Sequence, residues 1–117
     1  MPKVVITWTR DDASKDWLLS DRKTIEKGFF TPEEVNILAA SKNAHSTIPG
    51  YVTSSVNFLD DYNYNFTIEF DTQQSAENAY NLLANPPVDS IFYLLKNLMI
   101  RKREQLGLNY EHKIELL

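Results

Sequence analysis

The sequence predicts an α+β fold, a four-stranded antiparallel sheet with helices packed on one face. Three observations predict it. Four short segments alternate apolar and polar residues with the period of two that a half-buried strand requires. Two of the four are joined by a short polar link, the pattern of an antiparallel hairpin. The stretches between carry apolar residues at helical spacing and open on side chains that can cap a helix.

Residues 3–9 form the first strand, with Val4, Ile6 and Trp8 on one face and Val5, Thr7 and Thr9 on the other. In residues 11–30 Ser14 can cap a helix running through Lys27, with Trp17, Leu18, Asp21 and Ile25 on one face and Gly28 closing it. Thr31-Pro32-Glu33-Glu34 is a second start signal. Thr31 can accept from the Glu34 amide, the Glu34 carboxylate can reach back, and proline suits the first helical position. This helix should run to about Asn43 and bury Val35, Leu38, Ala39 and the stem of Lys42. Ile48-Pro49-Gly50 then turns the chain.

Residues 51–59 read as a strand with Val52, Val56 and Phe58 on its apolar face and Tyr51 and Leu59 on the opposite one. Asp60-Asp61-Tyr62-Asn63 has turn chemistry. Residues 64–70 resume the alternation, with Tyr64, Phe66, Ile68 and Phe70 facing one way. Asp71 or Thr72 caps the next helix, which sets Ala76, Ala79, Tyr80 and Leu83 on one face and stops at Asn85-Pro86-Pro87. A further helix is expected from Val88 or Asp89 to Leu106, its apolar stripe made of Val88, Ile91, Phe92, Leu95, Leu98, Met99 and Leu106, with Gly107 as C-cap. Residues 109–116 alternate again, with Tyr110, His112, Ile114 and Leu116 in phase. With the capped helix that follows Thr31 counted as the first connection, the order βαββααβ is the ferredoxin-like plan with one additional helix before the last strand.

Composition sets the bounds. The 117 residues are 43% hydrophobic and 24% charged, which suits a single domain over 1–117 with a core of its own. No apolar run reaches the length of a membrane span, so no membrane association is expected. Zero cysteines exclude disulfides, zinc–thiolate sites and thiol nucleophiles. The net charge is −4 and neither half is basic, which argues against a nucleic-acid-binding surface. The N-terminal apolar stretch is too short for a secretory signal, and the expected compartment is the cytoplasm, of a cell or of a host.

Ile48-Pro49-Gly50-Tyr51-Val52, the polar hairpin, Phe66-Thr67-Ile68-Glu69-Phe70-Asp71-Thr72 and the helix carrying Ala76 and Ala79 together resemble the dimeric α+β barrel superfamily. That superfamily includes proteins similar to antibiotic-biosynthesis monooxygenases. The resemblance covers roughly residues 48–84. It implies a homodimer with two sheets face to face, and a small-ligand pocket between sheet and helices. It also implies that an enzyme of this kind can work without metal or organic cofactor. No catalytic residue carries over. On this reading the pocket is lined by Trp8, Phe58, Phe70 and His112.

Few residues point to chemistry. His45 and His112 are the only histidines. His45 lies at a helix end without an acidic neighbour, and His112 falls in the phase of the sheet core or its rim. The first candidate role of His112 is a hydrogen-bonded structural one; the second is a pocket acid or base. Asp61-Tyr62-Asn63-Tyr64-Asn65 opens like a calcium loop, but Phe66 and Thr72 stand where glycine and glutamate are required. Arg101, Lys102 and Arg103 form the densest basic run, at a helix end where cations complement the dipole; a phosphate or RNA contact is the competing role. Phe29-Phe30 sits in a linker and can plug a pocket, cover a sheet edge or anchor a partner.

The sequence thus points first to a binding and assembly module without catalytic residues, metal or cofactor. It would act through self-association and a protein partner, as in a viral or cellular multi-subunit particle. Phe29, Phe30, Tyr51 and Leu59 are the candidate contact residues. The alternative is a small-molecule-binding protein or cofactor-independent monooxygenase-like enzyme of the α+β barrel type.

Overall fold

The computed structural model describes residues 1–10, 30–60, 62–106 and 110–117. The helix expected through Lys27, the side chains of Phe29, Lys42 and Arg103, and the Gly107 cap lie outside the described residues.

Four strands, β1 (Lys3–Arg10), β2 (Tyr51–Phe58), β3 (Asn63–Phe70) and β4 (Tyr110–Leu116), form one sheet in the order β2-β3-β1-β4. All neighbours are antiparallel. This is the ferredoxin-like order, with the two strands of the hairpin at one side and the two chain-terminal strands adjacent. Alternation along each strand places Val4, Ile6 and Trp8 on one face, and the register continues them into rows. His112, Trp8, Tyr64 and Phe58 stand opposite one another across all four strands. The next row is Ile114, Ile6, Phe66 and Val56, and the next Leu116, Val4, Ile68 and Ser54. The opposite face carries Thr53, Ser55, Asn65, Thr67, Glu69, Lys113 and Glu115, with Val5 as its buried apolar residue.

The expected face of Tyr51 is corrected by a bulge. Tyr51 pairs with Phe70 and Thr53 with Glu69, so Val52 is the extra residue and the phase reverses there. Tyr51 therefore packs on the helix side, against the core, and its hydroxyl is 2.8 Å from Ser54 Oγ. Val52 is exposed instead. The strand begins after a type II turn: Pro49 follows Ile48, Gly50 has φ +84°, and the Tyr51 amide donates to the Ile48 carbonyl at 3.1 Å. In the β2–β3 hairpin one carboxylate organises the link, since Asp60 Oδ1 accepts from the amides of Tyr62 (2.7 Å) and Asn63 (2.8 Å).

Three α-helices are present among the described residues, α1 (Pro32–Ala44), α2 (Gln73–Ala84) and α3 (Ile91–Leu106), and a short 3-10 helix, His45–Thr47, follows α1. The capping box forms as expected, with the Thr31 amide donating to Glu34 Oε1 at 2.8 Å and the Glu34 amide to Thr31 Oγ1 at 3.3 Å. Thr72 caps α2 by accepting from the Ser75 amide. Helix α3 begins later than expected because the Ser90 hydroxyl is the group that accepts from the Tyr93 amide, and Val88 stays in solvent.

The core has two parts. Helix α2 lies on the sheet and seals Val4, Ile68, Phe70, Ala76 and Ala79 completely. Helices α1 and α3 pack on each other, enclosing Phe30, Leu38, Leu98 and Met99. Because the partner of α1 is α3, its inward stripe runs through Glu34, Leu38, Ser41 and His45, and Ala39 is exposed rather than buried.

Candidate functional site

A cavity of about 670 Å³ lies between the sheet and the helices α1 and α3. That volume is within the usual range for small-molecule sites. Its floor is built by strand alternation: Trp8 and Ile6 from β1, Tyr64 and Phe66 from β3, Val56 from β2, and His112 from β4. Its roof comes from the α1 stripe (Leu38, Ser41, His45) and from Phe92, Leu95 and Met99 of α3. Lys96 and Asn43 add polar groups to the lining.

The floor is aromatic because the rows of the sheet are. Trp8 and Tyr64 stack with centroids 6.3 Å apart and planes 21° apart. His112 tilts against the other side of Trp8 at 4.8 Å. Phe58 continues the row at 6.0 Å from Tyr64. Such a row lines the floor with aromatic carbon.

His45 is the titratable group of the roof. It follows the last residue of α1, where backbone carbonyls lack helical partners. Its Nδ1 lies 2.7 Å from the Ser41 carbonyl oxygen. A carbonyl only accepts, so Nδ1 carries the hydrogen. The ring meets Phe66 at 5.1 Å and Phe92 at 5.2 Å, edge-on in both cases, and so spans from β3 to α3. Burial pushes its pKa below the ordinary histidine value, and the bond to the Ser41 carbonyl offsets only part of that. The imidazole is therefore neutral at neutral pH.

The expected pocket residues divide. Trp8 and His112 line the cavity, and His112 sits at its exposed side. Phe70 does not; it is fully buried in the sealed core under α2. Phe58 has the right face but is 64% exposed, because β2 is an edge strand that no described helix covers at that end. Alternation identifies the face of a strand and cannot identify how much of that face is roofed. His45 was not expected in the site. Its signal was the Ser41–His45 spacing of four, which stacks the two on the inward face of α1.

The other candidates also separate. Phe30 is buried against Leu38, Leu98 and Met99, with the Lys102 ammonium 5.6 Å from its ring centroid. It is a core residue of this chain, not a free anchor. Lys102 is buried as well, and its Nζ is 2.7 Å from Glu34 Oε1. That pairing corrects its reading as a phosphate contact: the stripe Leu95, Leu98, Met99, Lys102 points inward, and only Arg101 of the described side chains in the run is exposed. Leu59 is exposed. Among the described residues no cluster of three or more histidine or carboxylate side chains could hold a metal ion, and no helix is long and apolar enough to cross a membrane.

No protein-family model and no curated protein matches the chain. Solved structures do. A candidate antibiotic biosynthesis monooxygenase from Deinococcus radiodurans aligns over 100% of this chain and 90% of its own, with 13% identity and a TM-score of 0.50. An antibiotic biosynthesis monooxygenase aligns over 100% and 96%, with 9% identity and a TM-score of 0.49. A dimeric ferredoxin-like protein from an uncultured marine organism aligns over 99% and 92%, with 8% identity and a TM-score of 0.41. The Deinococcus structure and this chain share the ferredoxin-like α+β fold that the residue pattern implies.

Proposed function

We propose that the chain is a small-molecule-binding protein of the α+β barrel type whose ligand lies between the sheet and helices α1 and α3. The observation that carries this reading is the cavity of about 670 Å³ with a ring-lined floor and a neutral imidazole in its roof. A chain that worked only as an assembly module would gain stability by filling that space, since unfilled apolar volume forfeits contacts. The enzymatic form of the reading is an oxygen-dependent reaction of the bound molecule, in keeping with the name of the Deinococcus structure. The ligand is small and largely apolar, and no cofactor is invoked.

Calorimetry with 2-naphthol as a flat probe tests the reading. The expected result is saturable binding at one site per chain, lost when Leu95→Trp fills the cavity while the far-ultraviolet circular dichroism is unchanged. Absence of saturable binding to the parent chain would contradict it.

Self-association through β2 is a second reading, supported by a separate observation. No residue from Tyr51 to Leu59 is charged, β2 is an edge strand, and Phe58 and Leu59 are 64% and 59% exposed. Edges are usually protected by charge. Light scattering should then show a dimer that Phe58→Lys dissociates; a monomer in the parent chain would remove this reading.

A further inference from the structure

We infer that His45 Nε2 is the hydrogen-bond acceptor that orients the ligand, and that the ligand is a neutral molecule bearing an O–H or N–H donor on an apolar, ring-containing body. The inference rests on the ligand-binding reading above and adds the polarity of the contact. Four observations support it. The Ser41 carbonyl, 2.7 Å from Nδ1, can only accept, so it fixes the hydrogen on that nitrogen and the lone pair on Nε2. Neither ring contact alters this, because Phe66 and Phe92 hold the imidazole between sheet and α3 without competing for its nitrogens. Among the described residues no hydrogen bond occupies Nε2, on the far side of the ring from that carbonyl. Burial keeps the ring uncharged, so it presents an acceptor and not a cation.

An acceptor that the ligand itself covers discriminates by chemistry. A ligand donor satisfies it. A ligand of the same shape without a donor leaves it desolvated and unmatched, which is costly in apolar surroundings. The aromatic row on the floor supplies affinity without direction; His45 supplies direction.

The test pairs 2-naphthol with 2-methoxynaphthalene, which keeps the ring system and removes the donor. The parent chain should bind 2-naphthol roughly five- to tenfold more tightly, the worth of one hydrogen bond, and His45→Leu should abolish the difference. In parallel, nitrogen-15 spectra of the parent chain should place the His45 proton on Nδ1. Equal affinity for the two compounds overturns the inference and leaves the ligand-binding reading standing. Binding of neither overturns both. A proton found on Nε2 overturns the inference even where His45→Leu does not fold.

Discussion

Glu34 Oε1 lies 2.7 Å from Lys102 Nζ and 2.8 Å from the Thr31 amide, so one carboxylate oxygen both caps α1 and pairs it to the last turns of α3. Both side chains are shielded from solvent, and the Lys102 ammonium lies over the Phe30 ring. The pair fastens the two helices that roof the cavity.

Removing one partner strands the other. Lys102→Ala should cost roughly 3 kcal/mol in urea unfolding, as breaking a buried pair does. The double variant Glu34→Gln, Lys102→Met should lose less than Lys102→Ala, because no unpaired charge remains. A single-variant loss near zero would show that the pair is solvated and does not hold the helices.

Stability should fall in mild acid because of His45. Burial holds its folded pKa below the unfolded value of about 6.5, so the unfolded chain takes up the proton first as pH falls. The stabilisation is present above that value and declines below it, until folded His45 is itself protonated. Burial would raise the Glu34 carboxyl, but the bonds from Lys102 and Thr31 hold it below its usual value; its effect has the same sign and sets in below about pH 4.3. Urea midpoints between pH 7 and 5 should therefore drop more steeply for the parent chain than for His45→Leu. Parallel slopes would contradict the buried neutral imidazole.

Gly50→Ala tests the turn into β2. Gly50 has φ +84°, and an added Cβ would collide with Ser75 and Asp71. The left-handed backbone alone costs about 1–2 kcal/mol for a residue with a side chain, and the collision adds to it. Ser75→Ala should not rescue the variant, because the Ser75 Cβ is itself in the way. A thermal melt unchanged by Gly50→Ala would show a different turn.

Phe70 is fully buried under α2, and Phe70→Ala should cost about 3–5 kcal/mol. A loss below roughly 1 kcal/mol would mean that the strand phase is wrong.

Much of this was readable in the residues. The alternation of Tyr64, Phe66, Ile68 and Phe70 identified β3 and its inner face, and Thr31-x-x-Glu34 marked the start of α1. What local pattern could not show depends on neighbours. A single extra residue at Val52 turns Tyr51 to the other face, and neither residue type announces it. Val56 and Phe58 have the phase of core residues but lie on an edge strand, so they remain exposed. Lys102 belongs in sequence to a basic run, but its spacing from Leu95, Leu98 and Met99 puts it on the inward stripe. A pocket between sheet and helices follows from the family resemblance alone; its roof is not legible in local pattern, because it arises from α1 and α3 packing on each other rather than down onto the sheet.

The ligand site is tested most directly by following backbone amide chemical shifts of the parent chain during titration with 2-naphthol. Saturable shifts should gather at Trp8, Ser41, His45, Tyr64 and Leu95, with Thr53, Glu69 and Lys113 on the opposite sheet face unmoved. Saturable shifts confined to that opposite face, or none at all, would contradict the account.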